Sequence, residues 1–194
     1  HGVEREHPEA VRAVKESHGI VLTHARRPIQ AYFHSTCGGQ TASAKEVWGN
    51  SLPYLPGNSC GFCKEAGLYK WNASFTRGEV DKALRRLLGE KVVDIRVKKS
   101  SATERVKSIE IRGVKKRRTI RGEDLRRLLG YSKLWSTKIT KIDFGERKVA
   151  FSGYGAGHGV GMCQWGARGM AHASHSAEEI LAKYYPGSRL DRLY

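Results

Sequence analysis

Residues 152–167 read SGYGAGHGVGMCQWGA, with five glycines in the first ten positions and His158 among them. Glycine at this density lets the backbone adopt positive φ angles and approach a ligand closely. A helix is predicted to follow from about Met162 to Ala173, and its free N–H groups favour an anion or a sugar oxygen. Gln164 and Trp165 fall in its first turn, where they could bind a sugar. A tight turn around a packed tryptophan explains the pattern equally well.

A second unusual stretch, AYFHSTCGGQT at residues 31–41, runs out of a predicted strand. It places His34, Ser35, Thr36 and Cys37 side by side. A nucleophilic serine or cysteine needs a base within hydrogen-bond reach. Neighbours in a strand point to opposite faces, so His34 would not reach Ser35. A structural or binding role is therefore favoured over a self-contained catalytic pair.

The pattern along the chain predicts an α+β fold of antiparallel β-hairpins and short helices. Helices are expected at 8–17, 79–88, 122–129 and 177–185, and capping boxes at Thr76/Glu79 and Ser176/Glu179 mark two helix starts. Strands are expected at 20–24, 29–34, 69–75, 92–97, 106–112, 139–144 and 148–151. Residues 35–67 are too long for an ordinary connection, which predicts a functional or metal-pinned loop.

The charge balance points to an anionic partner. Lysine and arginine exceed aspartate and glutamate by 16, and the basic runs include residues 98–99 and 115–118. Nucleic acid and an anionic cell wall are both candidates. No nucleic-acid-binding motif or periodic aromatic platform is recognisable, so we expect no nucleic-acid partner. No apolar run approaches the roughly 20 residues of a membrane helix.

The four cysteines favour a structural zinc site. Cys60 and Cys63 form a CxxC motif, while Cys37 lies in the second stretch and Cys163 in the glycine-rich one. Converging thiolates would make a closed tetrahedral site with Cys37, Cys60 and Cys63 as ligands. Either His34 or Cys163 would supply the fourth ligand. The alternatives are a Cys60–Cys63 disulfide and four free thiols.

Together these stretches resemble the stage II sporulation protein D and amidase-enhancer family. The resemblance spans nearly the whole chain, and its most specific part is the core at 157–162 followed by Gln164. The matching residues are 34–41, 46–49, 53–55, 153–167, 169–171, 180–181 and 184–187.

The resemblance implies a peptidoglycan lytic transglycosylase fold with two lobes flanking a long cleft, working outside the cytoplasm. Such an enzyme cleaves the bond between N-acetylmuramic acid and N-acetylglucosamine and leaves a 1,6-anhydro end. The glycan strand would be its partner, with anionic wall polymers as a second one. The implied cleft residues are His34, Ser35 and Thr36 on the floor and Tyr154, His158, Gln164 and Trp165 against the glycan.

The sequence departs from the family at the general acid. The family's catalytic glutamate precedes an alanine-rich helix start, whereas His1–Gly19 resembles the sequence that follows that motif. Glu4, Glu6 and Glu9 are poor substitutes, so no catalytic residue is assigned. We expect residues 1–194 to form a single domain without that segment, with a lobe-like insertion at about 69–135. A non-catalytic wall-binding module, such as an amidase enhancer, and a basic nucleic-acid binder are the alternative functions.

Overall fold

The computed structural model describes residues 7–193 and confirms the α+β class. The helices of this part of the chain are α1 Pro8–Glu16, α2 Ala44–Trp48, α3 Arg77–Leu88, α4 Gly122–Leu129, α5 Gln164–His172 and α6 Ala177–Tyr184. Its strands are β1 Ile20–His24, β2 Arg27–Pro28, β3 Phe33–His34, β4 Lys70–Thr76, β5 Val92–Ser100, β6 Val106–Gly113, β7 Arg117–Arg121, β8 Ile139–Phe144, β9 Lys148–Tyr154, β10 Met162–Cys163 and β11 Arg189–Arg192.

The strands form small sheets that are mostly antiparallel. Three of them have three strands each, in the orders β4-β9-β8, β5-β6-β7 and β11-β1-β2. The fourth is the two-stranded ladder of β10 and β3, whose strands run parallel. Parallel neighbours require a long connection, and here that connection holds the whole segment from residue 35 to residue 161.

Buried apolar side chains gather in two hydrophobic clusters. The first, which we call the sheet core, packs α3 and α4 against the sheets of β4–β9; it draws on residues from Trp71 to Phe151. The second, which we call the cysteine core, combines residues 37–63 with residues 160–185, including Leu55, Val160 and Tyr184. The lobe predicted at 69–135 stays a prediction, and the sheet core continues beyond it through β8 and β9.

Both predicted capping boxes are confirmed. Thr76 Oγ1 accepts from the backbone N–H of Glu79, and the Glu79 carboxylate accepts from the N–H of Thr76 at 2.7 Å. Ser176 and Glu179 make the same reciprocal pair at the start of α6. These contacts satisfy N–H groups that a helix start otherwise leaves unpaired.

Several predicted elements differ in extent from the observed ones; β5 and β9, for example, each run three residues further than expected. The strand expected at 29–34 is reduced to Phe33–His34, because β1 pairs with Arg27–Pro28 and residues 33–34 pair with β10 instead. The helix expected from Met162 begins at Gln164 because Met162 and Cys163 form β10. Helix α2 and strands β2, β7, β10 and β11 were not predicted.

Two further sequence expectations concern the N-terminal part of the chain and the membrane. Glu4 and Glu6 lie outside the described residues, while Glu9 stands in the first turn of α1. Among residues 7–193, no helix combines the length and the apolar character that crossing a membrane would demand.

Candidate functional site

The two motif stretches pair directly with each other. In the ladder of β10 and β3, Met162 lies beside Phe33 and Cys163 beside His34. A bridge from Thr36 to Ala156 extends the contact, with N–O distances of 3.1 and 2.7 Å. The two backbones are thus hydrogen-bonded to each other here, which leaves no room for a glycan strand between them, and the implied cleft stays a prediction.

Glycine is needed where the two stretches meet. Gly161 has a φ of 70°, and a Cβ built there would lie 1.9 Å from the Tyr32 carbonyl oxygen. Gly155 has a φ of 74°, and its Cβ would lie 2.5 Å from the Thr36 carbonyl oxygen. The glycine density thus serves a close approach of two backbones, rather than of backbone and ligand.

His34 is held inside this junction. Its side chain is buried, and its Nδ1 donates to the Val160 carbonyl at 3.1 Å. Nε2 has no hydrogen-bond partner among the described residues. Burial lowers the pKa of His34 to about 3, with the positive charge of Arg105 and the His158 ring acting in the same direction. His34 is therefore neutral at neutral pH, with Nε2 as an unused acceptor.

The other predicted floor residues also belong to the junction. Thr36 is 1% exposed, and the Ser35 hydroxyl lies 3.3 Å from the Thr36 hydroxyl. The Ser35 carbonyl accepts from the N–H of Trp165 at 3.1 Å, which fixes the first turn of α5. The Trp165 indole lies under the Arg168 guanidinium at 4.7 Å. Gln164 is exposed beside it.

Tyr154 stands at the end of β9. Its ring meets the Tyr69 ring edge-to-face at 5.7 Å, and the Lys138 ammonium lies 6.0 Å from the ring centroid. Of the seven predicted cleft residues, His158 alone lines the cavity described next.

A cavity of about 420 Å³ opens where α2 faces the segments that flank β6 and α4. We call it the α2 pocket. It lies at the border of the two cores, because α2 packs on the cysteine core and Val106 belongs to the sheet core. The residues that line it are Lys45–Gly49, Ser101, Arg105–Lys107, Arg121–Glu123, Thr137 and His158.

An aromatic group forms one wall of the α2 pocket. Trp48 is 41% exposed, and its ring lies 4.6 Å from the Tyr32 ring and 5.3 Å from the His158 ring, centroid to centroid. His158 Nδ1 accepts from the N–H of Val160 at 3.1 Å, so its orientation is fixed by the backbone. Burial lowers the pKa of His158, which keeps the ring neutral.

The polar groups of the α2 pocket include two carboxylates. Glu46 accepts from the hydroxyl and the N–H of Thr103, which ties α2 to the turn before β6. Glu123 lies 3.7 Å from the Arg126 guanidinium. Lys45 and Lys107 add two exposed positive charges. Residues 46–49 match the family that the sequence resembles, but no role for Glu46 or Trp48 was predicted from the sequence.

The four cysteines converge in the cysteine core. Cys37, Cys60, Cys63 and Cys163 are all buried and free, and their sulfur atoms lie within 4.8 Å of one another. The sulfurs of Cys37 and Cys63 are 3.5 Å apart. Tetrahedral zinc with Zn–S bonds of about 2.3 Å separates its sulfurs by about 3.8 Å, so this donor set fits a metal ion. The structure thus selects Cys163 over His34 as the fourth member.

Hydrogen bonds position these sulfurs. Cys163 Sγ accepts from the N–H of Cys37 and from that of Gly166, both at 3.3 Å, and the Tyr184 hydroxyl lies 3.2 Å from Cys60 Sγ. Contacts with Cys163 and Cys37 lower the pKa of Cys63 to about 7 and that of Cys60 further still, whereas contacts within the cluster raise the pKa of Cys37 and, on balance, that of Cys163. Neighbouring thiols thus stabilise a thiolate at Cys60 or Cys63, and thiolate is the form that binds metal.

Comparison with known proteins identifies the family. A family model described as a domain of unknown function, DUF8618, matches residues 44–161, which is more than half of the chain. The chain belongs to the DUF8618 family. The matched segment of this DUF8618 domain includes α2, the whole sheet core and the glycine-rich stretch as far as Gly161.

Curated relatives confirm the resemblance to the stage II sporulation protein D and amidase-enhancer family. Stage II sporulation protein D of Bacillus subtilis is 30% identical over 92% of the chain, and that of Bacillus amyloliquefaciens is 30% identical over 90%. The amidase enhancer of Bacillus subtilis is 27% identical over 92% of the chain. The chain spans 50% and 48% of the two sporulation proteins and 32% of the amidase enhancer.

Proposed function

We propose that this chain is the glycan-binding part of a peptidoglycan lytic transglycosylase that works outside the cytoplasm. The α2 pocket carries the proposal, because it joins an exposed tryptophan to fixed polar side chains at the border of two hydrophobic cores. The names of the relatives, a sporulation protein and an amidase enhancer, support a role at the cell wall.

In this proposal the Trp48 ring stacks on a sugar face, since an aromatic side chain offers a large apolar surface at an open pocket. His158 lies beside it as a neutral ring, and Glu46 offers carboxylate oxygen to sugar hydroxyls. His34, Ser35 and Thr36 would support the pocket indirectly, because they pair with the glycine-rich stretch that carries His158 and hold it in place. Tyr154, Gln164 and Trp165 would extend the glycan contact beyond the pocket.

The reaction needs one carboxyl group that first protonates the leaving oxygen and then accepts the proton of the muramic 6-hydroxyl. No second carboxylate nucleophile is required, because the 6-hydroxyl closes on C1. The general acid is left unassigned within residues 1–194.

Digestion of purified glycan by the full-length protein tests the activity. We expect products with 1,6-anhydro-muramic ends, identified by mass spectrometry from their lack of the water that hydrolysis adds. Trp48→Ala in the same protein should slow their release. Products with ordinary reducing ends, or no products, would rule out a transglycosylase.

The second candidate is a wall-binding module without catalysis, as the relationship to an amidase enhancer suggests. This module would bind glycan through the same pocket and leave the strands uncut. Retention of the protein on purified peptidoglycan without any new chain ends, together with faster cleavage by an added amidase, would favour it.

We also propose that Cys37, Cys60, Cys63 and Cys163 hold a structural zinc ion. Four thiolates make a closed site that leaves no position for substrate, and such sites stabilise the fold. The three segments that supply these ligands have few regular elements of their own. A bound zinc ion would therefore fix the segment 35–67 against α5.

The positive charge of the chain supports a further proposal, that the protein is attracted to anionic polymers of the cell wall. Strands β5 and β7 flank β6 and carry exposed basic residues, among them Lys98, Lys99, Arg117 and Arg118. An excess of positive charge raises the local concentration of anionic polymer, and this effect weakens with salt. Retention on wall preparations should therefore fall as ionic strength rises.

A further inference from the structure

Arg105 is a buried cation at the contact between the two hydrophobic cores. It lies in the turn just before β6, and its residue is 3% exposed. Its Nη2 donates to the Cys37 carbonyl at 3.1 Å, across a sequence separation of 68 residues. A Cβ at Gly159 would lie 2.2 Å from the guanidinium carbon, so the guanidinium lies directly against the glycine-rich stretch.

The guanidinium has fewer partners than a buried charge needs. Nε and Nη1 are both buried without a hydrogen-bond acceptor among the described residues. Burying a charge without a partner is costly, and burial accordingly lowers the pKa of Arg105. Within residues 7–193, no carboxylate lies within salt-bridge distance of Arg105, and the nearby Glu46 is engaged by Thr103.

The cysteine cluster can supply the missing counter-charge. Four neutral thiols carry none, whereas four thiolates around a divalent cation carry a net negative charge. The guanidinium already donates to the Cys37 carbonyl, so it lies against the segment that supplies one of the four sulfurs. Groups just outside a metal site commonly tune its affinity in this way.

We propose that Arg105 is the counter-ion of the four-cysteine metal site and links that site to the α2 pocket. This inference rests on the zinc site proposed above. Arg105 lines the pocket and touches the Cys37 backbone, so it spans both. It acts as a positioning residue, through charge and through its hydrogen bond, without binding the metal ion.

The test compares the zinc affinity of Arg105→Lys and Arg105→Gln by competition with a chromophoric chelator. Both side chains are long and polar, and only lysine keeps the charge. We expect Arg105→Gln to bind zinc about 10–100-fold more weakly and Arg105→Lys to lie closer to the wild type. The thiolate-to-metal absorption bands of cobalt(II) should keep the four-sulfur pattern in both variants.

Arg126→Gln is the matched control. Arg126 is also buried, at 8% exposure, but its Nε donates to the Leu134 carbonyl at 2.8 Å within the sheet core. Its loss should lower stability and leave zinc affinity unchanged. Equal zinc affinity in Arg105→Gln and in the wild type would overturn the inference, as would equal losses in the Arg105→Gln and Arg126→Gln variants.

A second measurement needs no variant. Removing zinc from the wild-type protein should speed hydrogen exchange of the backbone amides at residues 101–106, which contain no cysteine. The amides of α3 should stay protected. Unchanged exchange at 101–106 would contradict the link even if both Arg105 variants failed to fold. A wild-type protein that binds no zinc would refute the metal site itself, and the inference with it.

Discussion

Cys163 and His34 are register partners in the parallel ladder of β10 and β3. This pairing places a sulfur of the cysteine cluster next to a buried histidine that donates to the Val160 carbonyl. The glycine-rich stretch therefore has two faces. One closes on the segment 33–37 and the cysteines, and the other presents His158 to the α2 pocket.

The metal site predicts one equivalent of zinc in the purified protein. Chelation should lower Tm, because a ligand present at 100 to 1,000 times its Kd stabilises the fold by about 3–4 kcal/mol, or roughly 6–16 °C for a chain of this size. Cys163→Ser should lose zinc. His34→Asn keeps a donor toward Val160 and should retain it. Elemental analysis decides, and zinc loss in His34→Asn but not in Cys163→Ser would reverse the ligand assignment.

The close approach at Gly161 predicts a large loss of stability for Gly161→Ala. The added methyl would meet the Tyr32 carbonyl oxygen in a left-handed backbone, and we expect a cost above about 4 kcal/mol. Gly49→Ala is the control, because Gly49 has a φ of 89° with no atom within 4 Å of its Cβ position. Its strain alone should cost about 1–2 kcal/mol.

Chemical denaturation would measure both glycine variants. Similar losses for Gly161→Ala and Gly49→Ala would mean that the two motif stretches do not meet as closely as described.

The capping box of α3 predicts a pH dependence. The Lys133 ammonium, followed by the backbone N–H of Thr76, lowers the pKa of Glu79 to about 2 from its ordinary 4.5. Because the folded-state pKa is depressed, this contribution is present above pH 4.5 and is lost as the pH falls toward 2. The stability difference between wild type and Glu79→Gln should therefore shrink across that window. A difference that stays constant from pH 5 to pH 2.5 would contradict the assignment.

Local signals in the sequence predicted much of the fold. Both capping boxes, strand β1 and helix α4 follow from short patterns of capping and alternating residues, and the structure has them. The misplaced elements depend on distant partners. The boundary of α5 moved because β3, more than 120 residues away, pairs with Met162 and Cys163. No periodicity within one segment can reveal such a pairing.

A structural zinc site was predicted from the sequence, with Cys37, Cys60 and Cys63 as three ligands and either His34 or Cys163 as the fourth. The cysteine types and the CxxC spacing supported it, while the choice needed the three-dimensional ladder. The α2 pocket was not predicted. Glu46 and Trp48 lie in a stretch that matches the family, but the match implied no role for them. Nothing in the sequence marked Arg105, because its role comes from its burial between the two cores.

Glycan binding at the α2 pocket is the central claim, and co-sedimentation with purified peptidoglycan tests it most directly. Trp48→Ala should weaken retention about 5–30-fold, which corresponds to roughly one or two kcal/mol. Tyr131→Ala is the control, because it removes an aromatic ring of similar exposure, 47%, that does not line the pocket, and it should leave retention unchanged. Full retention of Trp48→Ala, or an equal loss in Tyr131→Ala, would contradict the account.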